Sequence, residues 1–362
     1  MTSESWNQIL SVIRLELRKT FFARRGLWVY LLASAPVLLF FGNSLYAGRE
    51  KVRLARMAAE HPVSKDALGA IRVGASRDEI VEALGEPYDK RVSRFPVGPR
   101  REGRMMERAM YRYTDGESDV RLMFDDGQLR QINRTETMDV PKASRLFAGV
   151  FQLYYVRLAI FFGCVGVFMN LFRGEMLDKS LHFYLLSPMP REVLLIAKYL
   201  SGLIATVAIF SISTALQFLA MLRQFDSATV AMYLQHGGWG HMASYIGVTA
   251  LACVGYGSVF LTAGLVFRNP IVPAASVLLW ESANLFVPET LKKISLIFYL
   301  QSLCPIAAPI DANLQPLLAL LISTAEPASN PVSIAAILIV TLLMLQAGSL
   351  KARKLEINYS TD

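Results

Sequence analysis

The sequence predicts a mainly α, polytopic membrane protein with six transmembrane helices, an N-terminal interfacial helix, and a small α+β extracytoplasmic domain between the first two spans. Two observations predict this fold class. The 362-residue chain is 53% hydrophobic and 18% charged, whereas soluble domains carry roughly 25% charged residues. The charge is also concentrated, because residues 49–145 hold 20 of the 37 Lys and Arg and 17 of the 29 Asp and Glu. The rest of the chain is apolar enough to cross a membrane several times.

Residues 1–48 are expected to form the interfacial helix and the first span. Between Ser5 and Arg25, apolar residues recur every three or four positions and basic residues fill the places between them. This pattern is typical of a helix in the cytoplasmic membrane interface, although a soluble amphipathic helix would show it too. The interfacial interpretation is favoured because Leu27–Tyr46, twenty residues without a charge, follows at once and is long enough to span a bilayer.

Residues 49–145 have the turn sequences of a soluble α+β domain. Ser76–Glu79 (Ser-Arg-Asp-Glu) predicts a capping box that opens a short helix ending at Gly85. Asp126–Gly127 predicts a hairpin turn. The run VGASRDEIVEALGEP, followed by YRYTDG and VRLMFDDGQL, resembles the small lipoprotein domains of the BamE (SmpA/OmlA) type, in which a helix ending in Leu-Gly-x-Pro precedes a three-stranded sheet. The resemblance implies a compact binding or docking module.

Residues 146–362 are expected to hold the remaining five spans. The apolar runs that predict them are Gly149–Phe172, Val193–Leu222, His241–Phe267, Ile271–Val287 and Val332–Leu350. Residues 288–325 are also apolar but are broken by prolines, lysines and an aspartate, so they are expected to be re-entrant or interfacial. Basic residues concentrate in the short loops that this topology places inside, with Lys292 and Lys293 as an exception. The chain is therefore predicted to lie in the inner or plasma membrane with both termini cytoplasmic and residues 49–145 outside.

The sequence lacks the patterns of common catalytic and metal sites. It contains no G-x-x-x-x-G-K-[ST] for phosphate binding, no H-E-x-x-H and no G-x-S-x-G. The four histidines are scattered, and the three cysteines lie in apolar segments without a C-x-x-C pair. The chain is expected to be no enzyme and to bind no metal or cofactor itself. The isoelectric point near 9.4 reflects basic flanks of the spans, which interact with membrane lipids, rather than a nucleic-acid surface.

Two ionisable residues are predicted to lie within spans, where charges are costly and mark functional paths. Arg157 lies in the second span, and Glu281, directly after Trp280, lies in the fifth. Arg157 and Glu281 are expected to pair or to line a shared polar path, with Trp280 beside it. The alternatives are that Arg157 extends to the membrane interface and that Glu281 is neutralised by a helix dipole or another polar group.

The segment Phe172–Lys198 is a charged, proline-punctuated connection between the second and third spans. It resembles the coupling loop of ABC-2 type permeases, the integral membrane subunits of one class of ABC transporter. The family pattern is Phe-x-x-Glu, a Thr/Ser-Leu pair, Leu-Leu-x-x-Pro, a basic residue and a Lys. The matching residues are Phe172, Glu175, Ser180, Leu181, Leu185, Leu186, Pro188, Pro190, Arg191 and Lys198. Residues 176–179 (Met-Leu-Asp-Lys) depart from the commoner Arg-Glu-x-Gly. The run WESANLFVPETLKKISLIFYLQSL also resembles a subgroup with Trp-Glu in the fifth span.

The resemblance implies that residues 173–192 form a cytoplasmic coupling helix that docks on separate ABC ATPase subunits, which would bind ATP and Mg²⁺. It implies a homo- or heterodimer with a second permease chain, a translocation pathway formed largely by the second and fifth spans, and export as the direction of transport. Two rival interpretations stay open. One is a membrane-anchored sensor or assembly scaffold whose outer domain binds a ligand or a protein. The other is an intramembrane hydrolase, for which the sequence offers no nucleophile or metal motif.

Overall fold

The computed structural model describes residues 3–22, 26–97, 104–136, 138–177, 190–267, 269, 271–284, 286–308 and 326–353. The chain divides into two compact units. One unit combines Met1–Phe41 with Pro141–Asp362 and is helical, and the other, Gly42–Val140, contains a β-sheet. The predicted boundaries of the inserted domain, 49 and 145, fall close to those of the second unit.

Within the described residues, five helices are long and apolar enough to cross a membrane, so the chain is a mostly helical, membrane-embedded protein. These five spans are Leu27–Glu60, Val140–Phe172, Arg191–Leu222, Ser227–Val266 and Asn330–Arg353. The predicted span at 271–287 is different, because its helix is Ile271–Ala283, with 13 residues. At 1.5 Å per residue it is about 20 Å long, which is less than the roughly 30 Å of a bilayer core. Five of the six predicted spans therefore correspond to helical segments long enough to cross a membrane.

Two of these spans contain π-helical segments. The second span consists of Val140–Val150, the π-helix Phe151–Ile160 and Phe161–Phe168, and helix Asn170–Leu177 continues it. The fourth consists of Ser227–Tyr233, the π-type segment Leu234–Gly238 and Trp239–Val266. Gly237 has a φ of +111°, a conformation that glycine adopts without steric cost, so the glycine permits the kink in the fourth span.

The spans pack through aromatic rings and glycines. Near one end of the bundle, the Tyr245 ring lies 4.8 Å from that of Phe147 and 4.7 Å from that of Phe151 between centroids. Deeper in the bundle, a Cβ placed on Gly257 would lie 2.5 Å from Cζ of Phe168. Only glycine therefore allows the second and fourth spans to approach this closely.

The N-terminal helix, Ser3–Phe22, packs along the third span, Arg191–Leu222. One of its faces is buried and includes Ile9 and Val12, whereas Leu10 and Leu15 on other faces are exposed. This one-sided burial agrees with the predicted amphipathic pattern.

In the second unit, four antiparallel strands form a meander in the order β1-β2-β3-β4. The strands are β1 Asp89–Val97, β2 Arg104–Thr114, β3 Ser118–Asp125 and β4 Gln128–Glu136. One face of the sheet packs against helices Lys65–Ala70 and Arg77–Leu84. The core residues are Leu68, Ile80, Leu84, Ala109, Tyr111, Tyr113, Val120, Leu122, Phe124 and Leu129.

The capping box predicted in this unit is present, and the sheet contains one strand more than predicted. The capping box forms, because Ser76 Oγ accepts from Glu79 N at 3.3 Å and Glu79 Oε2 accepts from Ser76 N at 3.0 Å. The sheet has four strands rather than three. Strand β1 was missed because its sequence, DKRVSRFPV, is charged and contains a proline, which sheets tolerate at an edge.

Candidate functional site

The base of the Phe172–Lys198 segment is a buried polar contact centred on Lys198. Lys198 is fully buried, and its Nζ donates to Glu16 Oε1 at 2.9 Å and to the Leu171 carbonyl at 2.8 Å. The same nitrogen lies 5.3 Å from the centre of the Phe172 ring. Glu16 is 4% exposed. We call these residues, Glu16, Leu171, Phe172 and Lys198, the Lys198 contact.

The Lys198 contact joins three parts of the chain. Glu16 belongs to the N-terminal helix, Leu171 and Phe172 to the end of the second span, and Lys198 to the third span. Because the ions are out of contact with water, their attraction is weakly screened. The two ends of the loop are thus held together and to the N-terminal helix.

Glu16 is a site residue that the sequence reasoning missed. The available signal was that Glu16 is one of only two acidic residues in helix Ser3–Phe22, which otherwise carries basic charges. It also continues the buried face formed by Ile9 and Val12, at helical spacing. An acid on an apolar face needs a buried cation as its partner.

Most of the other residues that match the loop motif lie outside the description, and only Pro190 and Arg191 have described side chains. Ser180, Leu181, Leu185, Leu186 and Pro188 lie outside the described residues. Glu175 belongs to helix Asn170–Leu177, but its side chain also lies outside the description.

Pro190 and Arg191 are at the surface, where the third span begins. Pro190 is exposed and precedes the first turn of helix Arg191–Leu222. The Arg191 side chain donates from Nη1 to the Arg353 carbonyl at 2.8 Å. Next to it, Glu192 and Arg353 form an exposed ion pair at 2.5 Å. Their assigned role in docking a partner stays a prediction.

A second polar cluster surrounds Glu281 at the end of helix Ile271–Ala283. The buried Glu281 carboxylate accepts hydrogen bonds from Ser295 Oγ at 2.9 Å, Leu296 N at 3.1 Å and Ile297 N at 2.8 Å. The Tyr256 hydroxyl donates a longer hydrogen bond of 3.4 Å to it. Asn284 extends the cluster by donating to Ser295 Oγ at 2.5 Å.

Glu281 therefore caps the helix Leu296–Ser302 from a different helix. The first backbone N–H groups of a helix have no partner within it, and its N-terminus favours negative charge. The carboxylate satisfies two of these groups and fastens Leu296–Ser302 to the end of Ile271–Ala283. This corresponds to the alternative in which a helix terminus and polar groups stabilise Glu281. We call the connection between these two short helices, residues 284–295, the helix break.

Arg157 lies near the helix break but does not form an ion pair with Glu281 among the described residues. Its side chain is 9% exposed, and its Nε and Nη2 have no hydrogen-bond partner there. It interacts electrostatically with Tyr256 and Glu281. Trp280, the third predicted residue of this group, is exposed. The structure thus brings Arg157 and Glu281 into one region without a direct contact, and the shared polar path stays a prediction.

The sheet-containing unit has its own candidate site. A surface groove of about 440 Å³ is lined by Arg77, Asp78, Val81, Glu82, Glu86, Lys90 and Tyr111. The lining mixes cations and anions around one aromatic ring, which suits a polar peptide or another charged ligand better than an apolar one.

A partly buried charge network lies beside the turn between β2 and β3. Burial would raise the pKa of Asp119, but hydrogen bonds from Arg112 and Tyr88 outweigh it and lower that pKa below its ordinary value. Burial, together with the hydrogen bond to Asp119, raises the pKa of Tyr88 to about 12. Asp119 is thus a structural anion at neutral pH.

No protein-family model, no curated protein and no solved structure matches this chain. Within the described ranges, no group of three or more His, Cys, Asp or Glu could hold a metal ion. A function for this chain is therefore inferred from the Lys198 contact, the helix break and the groove.

Proposed function

We propose that this chain is the permease subunit of an ATP-binding-cassette transporter of the ABC-2 type. In this proposal a second permease chain completes the translocation pathway, and residues 172–198 couple it to a separate cytoplasmic ATPase that drives export. The observation that carries the proposal is the Lys198 contact, in which one buried ammonium binds the end of the second span and the N-terminal helix.

A loop that transmits movement needs a stiff attachment. The hydrogen bond from Lys198 to the Leu171 carbonyl joins the two ends of the loop. The buried ion pair of Lys198 with Glu16, which would cost roughly 3–5 kcal/mol to break, fastens the N-terminal helix to the third span. A partner that displaces the loop would then shift the second span, the third span and the N-terminal helix as one body. The chain itself has no phosphate-binding motif, so ATP-driven movement would have to come from another protein.

The helix break supports a sixth crossing made of two short helices. Ile271–Ala283 and Leu296–Ser302 contain 13 and 7 residues, which together give about 30 Å at 1.5 Å per residue. A Cβ on Gly255, near the middle of the fourth span, would lie 3.3 Å from Leu296. Beyond the second helix, the Ile306 carbonyl accepts from Gln152 Nε2 at 2.7 Å. Discontinuous helices of this kind form binding sites in transporters.

In the orientation we propose, both termini and the Lys198 contact face the cytoplasm, and the sheet-containing unit lies outside the inner or plasma membrane. The positive charges of the N-terminal helix and of the C-terminal end of Asn330–Arg353 support this orientation.

The groove on the outer unit favours a second candidate, a membrane-anchored sensor or assembly scaffold. Its charged lining around Tyr111 would bind a ligand or a protein, and the cytoplasmic loop would recruit a different partner. In this case the chain would have no need of an ATPase.

The test is co-purification of the tagged chain with a P-loop ATPase, which this proposal expects to be encoded beside it, followed by an ATPase assay of the complex. Four versions are compared: the natural chain, a deletion of residues 178–189, Glu175→Ala, and Glu192→Ala. Glu192→Ala is the control within the segment, because Glu192 is not one of the residues that match the family motif and its exposed carboxylate already pairs with Arg353.

We expect the natural chain and Glu192→Ala to retain the ATPase, and the deletion to reduce its recovery about tenfold, equivalent to about 1.4 kcal/mol. Glu175→Ala is expected to lower recovery or to uncouple ATPase activity from the permease. Equal ATPase recovery with the natural chain and the deletion would contradict coupling through this loop, and no recovery with the natural chain would favour the sensor.

A further inference from the structure

Arg157 is a buried cation that coupling to an ATPase does not explain. It lies on the π-helical segment Phe151–Ile160 of the second span, and its side chain is 9% exposed. π-helical segments are rare and occur mostly at functional sites, because the widened turn changes the direction in which a side chain projects. The residue type and the local backbone therefore both point to a role beyond packing.

The hydrogen-bonding capacity of Arg157 is unfilled among the described residues. Its Nε and Nη2 have no partner there. Glu281 interacts with it electrostatically, but the Glu281 oxygens already accept from the Ser295 hydroxyl and from two backbone N–H groups. Glu281 thus offsets part of the positive charge from a distance, and Nε and Nη2, two donors on one edge of the guanidinium, have no partner among the described residues.

A buried guanidinium with no ion-pair partner among the described residues is strongly unfavourable in a membrane-embedded bundle. Carboxylates and phosphates fit the guanidinium best, because two of their oxygens can accept two parallel N–H bonds from it. A bound anion would neutralise the charge and satisfy the donors at once. A neutral acceptor would satisfy the donors without neutralising the charge, and a cationic group would do neither.

The helix break, near this region, carries side chains that are partly exposed. The connection between its two short helices carries Glu289 and Lys293, whose side chains are about half exposed and pair at 3.0 Å. This connection contains the one-turn helix Glu289–Lys292 with non-helical residues on both sides of it, and such residues are tolerated at membrane depth only inside protein or beside water. Glu281 lies at the start of this connection, so a water-filled space along it would reach the surroundings of Arg157.

We propose that Arg157 binds the anionic group, a carboxylate or a phosphate, of the molecule that passes through the membrane. This inference rests on the proposed permease function and adds a substrate class to it. The group belongs either to a lipid-like amphiphile or to a free anion, and the two sources are separated by the probes below.

The experiment measures ligand-induced stabilisation of the purified full chain in dodecyl maltoside. The probes are dodecyl phosphate, dodecanoate, inorganic phosphate and, as the cationic control, dodecyltrimethylammonium. The variants are Arg157→Met, which removes the charge, and Arg157→Lys, which keeps the charge but loses the planar donors. Arg145→Met is the matched control, because Arg145 is exposed and lies in the same span.

We expect the natural chain and Arg145→Met to be stabilised saturably by dodecyl phosphate or dodecanoate and not by the cation. Arg157→Met is expected to bind about tenfold or more weakly, with Arg157→Lys between them, since a charge-assisted hydrogen bond contributes that much. Stabilisation by inorganic phosphate as well would indicate a free anion, and a requirement for the alkyl chain would indicate an amphiphile.

Equal affinity of Arg157→Met and the natural chain for the anions would overturn the inference. So would equal stabilisation by the cation, or no stabilisation of the natural chain by any anion. If neither Arg157 variant folds, Arg157 has a structural role and the inference is also overturned. These assays contain no ATPase, so their failure leaves the coupling proposal standing, and a failed ATPase pull-down leaves anion binding by Arg157 standing.

Discussion

Replacing Lys198 by Met should destabilise the helical unit more than any exposed charge change. The ammonium has no exposed surface and binds Glu16 at 2.9 Å and the Leu171 carbonyl at 2.8 Å. Met fills a similar volume, so the packing term is small. What is lost is the charge that balances the buried Glu16 carboxylate.

The size of this destabilisation follows from Glu16 and the Leu171 carbonyl, which lose their partner when Lys198 is replaced. Removing one member of a buried ion pair costs roughly 3–5 kcal/mol. Lys19 lies 3.8 Å from the same Glu16 oxygen and is 48% exposed, so it offsets at most about 1 kcal/mol of that cost. We therefore expect Lys198→Met to lower the free energy of unfolding by about 3 kcal/mol. Glu16→Gln should cost less, because Lys198 keeps the Leu171 carbonyl.

The assay is a double-mutant cycle on the purified chain in mixed micelles of dodecyl maltoside and SDS. The free energy of unfolding is obtained from tryptophan fluorescence along the SDS titration. The double variant, Glu16→Gln with Lys198→Met, removes both members of this buried ion pair and should be more stable than Lys198→Met alone. The expected coupling energy is about 2 kcal/mol, within the range for residues in direct contact.

The control is a second cycle on the ion pair of Glu192 and Arg353, whose side chains are 44% and 60% exposed. Exposed pairs contribute at most about 1 kcal/mol. If the effects of Glu16→Gln and Lys198→Met add within about 0.5 kcal/mol, the two residues are not energetically coupled and the argument for a stiff loop base fails.

Two further predictions concern Glu281 and Asp119. Glu281→Gln leaves one side-chain oxygen for the donors that the carboxylate accepts at 2.8–3.1 Å, so the same SDS titration should show a loss of about 1–3 kcal/mol, and unchanged stability would contradict the cap. The lowered pKa of Asp119 means that its contribution is present above the pKa of the unfolded chain, near 3.9, and is lost as the pH falls through the folded-state pKa. Hydrogen exchange of the β2–β3 amides, corrected for intrinsic rates, gives the free energy of opening of this region. In the natural chain this free energy should fall with decreasing acid pH more steeply than in Asp119→Asn, by a slope that corresponds to about one proton. Equal slopes in the two proteins would contradict the prediction.

The sequence predicted the local elements well where the signal was contained in a short stretch. The capping box at Ser76–Glu79 forms as predicted, because it involves only neighbouring residues. Four long apolar runs and part of a fifth lie within the five spans. Strand β1 escaped prediction, since an edge strand with one paired neighbour tolerates charge and proline.

The end of the predicted fifth span, Val287, also differs from the end of the observed helix. Helix Ile271–Ala283 ends four residues earlier than the apolar run, and the next short helix is capped by Glu281. Hydropathy cannot show this, because it measures the length of an apolar run and not whether its backbone stays helical. The cap depends on Leu296 and Ile297, which lie 15 and 16 residues further along the chain.

The sequence by itself determined that this is a membrane-embedded helical protein with one charged insert, because hydrophobic length and charge density can be counted along the chain. It also marked Arg157, Glu281 and Lys198 as unusual residues. Only the tertiary structure decided their partners. Lys198 pairs with Glu16 across 182 positions, Glu281 caps a helix, and two donors of Arg157 have no partner in the part of the chain that the structure describes. The physical reason is that a buried charge must be balanced by whatever the packing of helices brings near it, and that packing is set by contacts distant in sequence.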